Sequence, residues 1–367
     1  MADQIHVARL FLASEATAKE AEKRFEPTIK NNPALPVINW AAIGKTPPVA
    51  VNTTGSDLPA ADAVVITWAD AEWAALEHVF CTGSTAMPYS DGQKGSWPGW
   101  VKYDQGMPQQ SDQTWTYWGY FRLVQMGSSR VLLFKSNTHL DWPGASFLEQ
   151  LINLIITDVK PKLILSAGTA GGAQTGDHIG TINVVRAGTL YESNQPQPQW
   201  PVYSNTWSAN WSVVSLAAFK KLLFPIPTVK TDLESLCQQF NTFYGTTYTL
   251  TDLDPDGLNM GDPEPALQNM TPAGTPLLTT STFVVATTAG NLKSFACVEM
   301  DDAVIADVCK TAGVAFGFVR NISDPVQNAA LPPKVQGNWG SAVYTVYGMY
   351  TSYNGAITAW AVLDAVL

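Results

Sequence analysis

Three short polar clusters carry the residue types that could do chemistry, and each ends an apolar run. They are Gly168-Thr169-Ala170-Gly171-Gly172, Val298-Glu299-Met300-Asp301-Asp302 and Arg320-Asn321-Ile322-Ser323-Asp324. Glycines at the end of a strand let the backbone pass close to a ligand, because no Cβ stands in the way. Carboxylates beside such a backbone suit general acid–base work. Each cluster also has a plain structural role. The glycine run reads as a tight turn, too glycine-rich to continue a strand or a helix. Glu299 and Asp301 suit a helix N-terminus electrostatically, and Asp324 suits a turn ahead of Pro325.

The elements that must position these clusters follow from the hydrophobic pattern. Ala63–Thr67 and 162–167 read as buried strands, the second leading into the glycines. The spacing predicts helices over 70–80, with Asp70 as N-cap, and over 145–159, with apolar residues at 147, 148, 151, 152, 155 and 156. Thr114–Met126 and Arg130–Lys135 read as a hairpin, preceded by a long loop over 82–112 and followed by a polar loop over 136–144. A strand region at 176–186 precedes an expected insertion at 190–275 with helices over 213–223 and 231–243 and a Pro/Asp/Asn-rich loop over 252–276. A strand at 281–287, a helix at 303–309, a strand at 314–319 and a closing helix at 341–367 complete the pattern. Tyr344, Tyr347 and Tyr350 share helical spacing in that last helix and read as packing. Residues 1–60 read as an extension, with an amphipathic helix over Leu12–Lys30 and a proline-rich linker. Strands alternating with helices place the domain at 61–367 in the α/β class, as a three-layer sandwich around a mixed twisted sheet in which ligands bind at strand C-termini.

Composition narrows the function. The 367 residues are 46% hydrophobic and 14% charged with a net charge of −10, and no basic run is present. Nucleic acids and anionic membranes need basic patches, so neither is an expected partner. Cys81, Cys237, Cys297 and Cys309 are far apart, and the four histidines lack metal spacing, so reduced thiols and no metal or cofactor are expected. The first residues lack the apolar core of a secretion signal, and no window reaches a membrane span. The expectation is a cytoplasmic protein acting on a small molecule, with the 13 Trp and 12 Tyr suiting flat ligands or the interface of a homo-oligomer.

Together and in this order the clusters resemble the nucleoside phosphorylase and nucleosidase superfamily of α/β/α fold, particularly its methylthioadenosine/S-adenosylhomocysteine nucleosidases. Gly168-Thr-Ala-Gly-Gly172 with Gly176-Asp177 is similar to G-[ST]-A-G-G…G-D. Val298-Glu-Met-Asp301 with Ala303, Ala306 and Cys309 is similar to V-E-M-E…A-x-x-A-x-x-C, and Val319-Arg-x-Ile-Ser-Asp324 to V-R-x-I-S-D. The likeness spans residues 63–186 and 279–365 and implies cleavage of an N-glycosidic bond in a nucleoside. Asp324 matches the acid that protonates a purine at N7. Asp301 matches a glutamate that hydrogen-bonds the ribose hydroxyls, Met300 a ribose-packing residue and Phe283 a phenylalanine on the base. Thr169, Ala170 and Gly171, with Gly168, would line sugar and base, and the motif neighbours Glu299 and Ser323 are carried over as substrate-binding. An oxocarbenium-like transition state gains from nearby carboxylates and a protonated base.

The resemblance leaves the nucleophile open between water and phosphate. Phosphorylases of this kind hold phosphate with arginines, one in a glycine-containing loop after the first strand and one just before the glycine turn. Here the loop is Thr67-Trp-Ala-Asp-Ala-Glu72 and the pre-turn residue is Ser166; of six arginines, only Arg320 lies in a motif. An anion site without cationic donors is poorly stabilised. Glu72 falls where the nucleosidases carry a water-activating glutamate. Two departures stand out. Asp301 is one methylene shorter than the matching glutamate, and Ser136-Asn-Thr-His139 replaces a glycine-rich segment, which can bring His139 to the site. The leading expectation is an enzyme, a purine nucleosidase releasing base and pentose. A phosphate-dependent phosphorylase and a non-catalytic nucleoside-binding or storage protein are the alternatives.

Overall fold

Every residue of the strand Ala63–Thr67 is buried. Successive strand side chains point to opposite faces, and here Val64 and Ile66 enter one apolar core while Ala63 and Val65 enter another. Such a strand must be covered on both sides. The computed structural model describes residues 25, 27–28, 33–88, 98–108, 115–174, 177–191, 195–207, 217–226, 232–253, 267–268, 275–280, 294–325 and 333–367.

The described strands are β1 (Val49–Val51), β2 (Ala63–Thr67), β3 (Val101–Tyr103), β4 (Gly119–Met126), β5 (Ser129–Ser136), β6 (Leu163–Gly172), β7 (Ile182–Val185), β8 (Ala187–Leu190), β9 (Val202–Ser204), β10 (Leu267–Gln268), β11 (Leu277–Thr279), β12 (Cys297–Glu299) and β13 (Ala315–Pro325). They form one mixed sheet with the path β1-β4-β5-β2-β6-β12-β11-β8-β9; β13 pairs with β6 and β7, β3 with β4 and β10 with β7. The helices are α1 (Asp70–Glu77), α2 (Ala145–Val159), α3 (Asp232–Tyr244), α4 (Leu250–Leu253), α5 (Asp302–Ala312) and α6 (Pro333–Val366). Leu76 of α1, Phe240 of α3 and Tyr347 of α6 pack in the core on one face of the sheet. Leu148 and Leu151 of α2 and Ile305 of α5 pack in the core on the other. The architecture is the expected three-layer α/β sandwich. No described helix is long and apolar enough to cross a membrane.

Helix α2 matches its expected bounds because its apolar stripe is complete: Leu148, Leu151, Ile152 and Ile155 are buried. Helix α6 begins eight residues earlier than its apolar pattern suggested and is buried along most of its length, with Tyr347 and Tyr350 fully enclosed as packing residues. The proline-rich residues of the extension belong to the folded body. Leu35 is buried and its N–H bonds the Met87 carbonyl at 2.8 Å, Trp40 packs edge-on against Trp360, and β1 joins the sheet edge. Of the helix expected over Leu12–Lys30 only Phe25, Pro27 and Thr28 are described, and the strand expected at 281–287 lies outside the described residues.

Two expected boundaries are corrected. The glycine run is not a turn: β6 continues through Gly172, and β13 continues through the Asn321–Pro325 segment expected to end it. The two strands supply each other's ladder. They pair in parallel from Leu163↔Ala315 to Gly172↔Pro325, while Gly171 and Gly172 also pair with β12. Those bonds offset the roughly 0.5–1 kcal/mol that each glycine costs an element interior. Asp70, expected as N-cap, is the first residue of α1, and Ala69 takes the capping position.

Candidate functional site

The carboxyl ends of β2, β6 and β13 converge with the N-terminus of α5, and the three motifs meet there. Glu72, in the first turn of α1, is 5% exposed. Its Oε2 accepts from the Thr67 hydroxyl (2.7 Å) and from the N–H groups of Trp68 (3.0 Å) and Ala69 (2.9 Å). Its Oε1 accepts from the N–H (2.6 Å) and the hydroxyl (2.8 Å) of Thr169. A carboxylate offers about four lone-pair sites, so five donors saturate it. Glu72 therefore ties the β2–α1 turn to the glycine strand.

Arg320 is buried and its guanidinium is spent within the protein. It donates to both oxygens of Asp302 (2.7 and 2.5 Å), to the Ser166 hydroxyl (2.8 Å) and to the Thr169 carbonyl (3.3 Å), and lies 3.2 Å from Glu299. Burial opposes its charge, yet Asp302 and Glu299 hold its pKa well above the ordinary value. Its guanidinium also lies 5.2 Å from the Trp68 ring centre, within cation–π range.

Glu299 works beneath the α5 N-terminus. Its carboxylate accepts from the N–H groups of Asp301 (2.7 Å) and Asp302 (3.0 Å) and from the Thr279 hydroxyl, whose oxygen in turn accepts from the Ala303 N–H at 2.9 Å. These bonds satisfy orphan donors of the first helical turn. Three buried carboxylates, Glu299, Asp301 and Asp302, thus crowd one helix end. Burial, then the charge of Asp302, pushes Glu299 up to about 8, with Arg320 pulling the other way. Burial likewise raises Asp302.

Asp301 turns towards the loop after β5. Its Oδ2 stands 3.0 Å from His139 Nδ1 and its Oδ1 accepts from the Leu140 N–H at 3.0 Å. The His139 ring lies 5.9 Å from the Trp68 ring, and the Trp68 indole N–H bonds the Thr138 carbonyl. Asp141 follows, raised to about 6 mainly by burial. The circuit closes from Glu72 through Thr169, Arg320, Glu299 and Asp301 to His139 and Trp68. Met300 is half-buried beside it.

Asp324 stands at the end of β13. The β6–β13 register slips between Ile322 and Asp324, so Ser323 is an extra residue and Asp324 pairs with Gly171. Such a bulge re-aims side chains. The Ser323 hydroxyl donates to Asp324 at 2.7 Å and lies 3.5 Å from the Ala170 carbonyl. Burial pushes the Asp324 carboxyl up to about 7 against the pull of that hydroxyl. A carboxyl that titrates near neutrality can both give and take a proton.

The structure thus joins Glu72, Thr169, Ala170, Gly171, Glu299, Asp301, Ser323, Asp324 and His139 in one region; Phe283 lies outside the described residues. Sequence reasoning missed Trp68, Ser166 and Asp302 as contributors. In the sequence Trp68 stands in a loop that lacks glycine and arginine and Ser166 stands where an arginine is lacking, and the second aspartate of Asp301-Asp302 is the available signal for an arginine partner. Among the described residues no His, Cys, Asp and Glu cluster suits a metal ion.

No protein-family model matches the chain, and no curated protein matches it by sequence. Solved structures do. The 5′-methylthioadenosine/S-adenosylhomocysteine nucleosidase from Neisseria meningitidis, in complex with methylthio-immucillin-A, is 13% identical, covering 83% of this chain and 100% of that chain at a TM-score of 0.45. The S-adenosylhomocysteine nucleosidase from Streptococcus pyogenes is 13% identical, with 84% and 99% covered and a TM-score of 0.46. The futalosine hydrolase of Helicobacter pylori is 11% identical, with 83% and 98% covered and a TM-score of 0.44.

Proposed function

We propose that the chain is a nucleosidase that hydrolyses the N-glycosidic bond of a purine, adenosine-like nucleoside to free base and pentose. The observation that carries this reading is the placement of the buried Asp324 carboxyl, which burial pushes up to about 7, beside the glycine strand to which Glu72 is bound. Asp324 gives its proton to the departing base at N7. The bond from C1′ to the base nitrogen breaks with its electrons going to the base, and water attacks C1′ and loses a proton to Glu72. Water reaches Glu72 by replacing a donor on Oε1. The hydroxyl of half-buried Thr169 is the one that can turn away, since the backbone N–H cannot.

Water rather than phosphate is the nucleophile in this proposal because Arg320 is consumed by Asp302, Ser166 and Thr169. The non-catalytic reading also has support. Glu72 is saturated, and Asp301, matched to the ribose acid, is held by His139 and Leu140. Incubation with a nucleoside panel, with and without phosphate, followed by chromatography of free base, separates the readings. Phosphate-independent release is expected. Strict phosphate dependence would make the protein a phosphorylase, and binding without product a nucleoside carrier.

A further inference from the structure

A small cavity lies between Glu72, Leu76, Gly168, Asn321, Ser352 and Gly355. Two of its polar side chains are unpartnered. Nδ2 and Oδ1 of Asn321 and Oγ of Ser352 are buried with no hydrogen-bond partner among the described residues. Asn321 is 0% and Ser352 3% exposed. Buried amides and hydroxyls cost free energy unless something satisfies them, and few remain unsatisfied in folded proteins.

The backbone is pared back around these groups. A Cβ on Gly355 would collide with Asn321 Oδ1, and one on Gly168 would stand 3.0 Å from Glu72 Oε1. Asn321 extends from β13 and Ser352 from α6, so two elements converge on one point beside a third residue, Glu72 of α1. About 10 Å³ is open there to the centre of a water-sized sphere, close to the ~10–15 Å³ that one water needs. The occupant must donate to Oδ1, accept from Nδ2 and meet a hydroxyl. A cation would face the Nδ2 donors, and any organic ligand is too large. Water alone has the size and both polarities.

We propose that this cavity binds a single water molecule held by Asn321 and Ser352, and that this water ties β13 to α6. Asn321 and Ser352 then touch no substrate, and the water site is independent of the proposed reaction.

High-resolution diffraction of the wild type tests the site directly. One ordered peak within hydrogen-bond distance of the Asn321 amide and Ser352 Oγ is expected, and a dry cavity overturns the proposal. Asn321→Leu should expel the water, and Ser352→Ala, the milder change should Asn321→Leu not fold, should weaken its density. Ser352→Ala should also lower the urea midpoint, because it leaves the Asn321 amide and its water short of a partner. Loss of the water with the midpoint unmoved would overturn its role as a tie between β13 and α6.

Discussion

Asp324→Asn keeps the shape of the side chain and removes its proton. With the carboxyl at about 7 in the folded protein, base release should be fastest below that pH and fall about tenfold per unit above it as Asp324 ionises. The amide variant should lose ~10²–10⁴-fold in kcat, the usual contribution of a general acid, while binding a nucleoside analogue within a few-fold of wild type. Rate profiles from pH 5 to 9 and titration calorimetry measure the two; full activity in the variant would remove Asp324 from the mechanism. Asp324 was legible from its motif, but its setting was not. The bulge at Ser323 depends on how β13 registers with β6, and no local pattern encodes the partner strand. The Asp301–His139 contact spans 162 positions, so the sequence could only bring His139 to the vicinity.

At the scale of the element, β6 shows why glycine misled a reading based on propensity. Gly168 belongs to the strand because nothing else fits between β13 and α1. A Cβ there would stand 2.5 Å from Arg320 Nη1 and 3.0 Å from Glu72 Oε1, and Arg320 cannot yield while Asp302 and Ser166 hold it. Gly168→Ala should therefore cost about 1–3 kcal/mol, as overpacking does, and disturb Glu72. Gly188, in β8, provides the contrast. Its added Cβ meets atoms at 3.5 Å or more, so Gly188→Ala should stay within about 0.5 kcal/mol. Urea unfolding of both variants checks this, and equal losses would show that the glycine strand is not sterically required. The strands and helices that sequence placed well, β2 and α2, have complete apolar patterns of their own. Those it shortened, β6, β13 and α6, owe their extra length to tertiary partners.

Across the whole molecule, buried titratable groups set the pH range in which the sandwich holds. Glu299 is raised to about 8 and Asp141 to about 6. A carboxyl raised on folding binds its proton more tightly in the folded state. Its contribution is full below the unfolded value near 4 and is lost as pH climbs through the folded one. His78 has the opposite sign: burial lowers its pKa, so its contribution is full above the unfolded value near 6.5 and is lost as pH falls below it. The melting temperature should peak between these limits and decline by a few degrees as pH rises from about 6.5 to 8.5, where Glu299 must ionise beside Asp302. Glu299→Gln keeps an acceptor for the α5 N-terminus and cannot ionise, so its alkaline decline should be largely flattened. Thermal melts of both proteins across pH 5 to 8.5 decide it. A parallel decline in the variant would assign the alkaline sensitivity elsewhere. It would also mean that the Arg320 charge, which opposes the shift, outweighs the burial that raises Glu299.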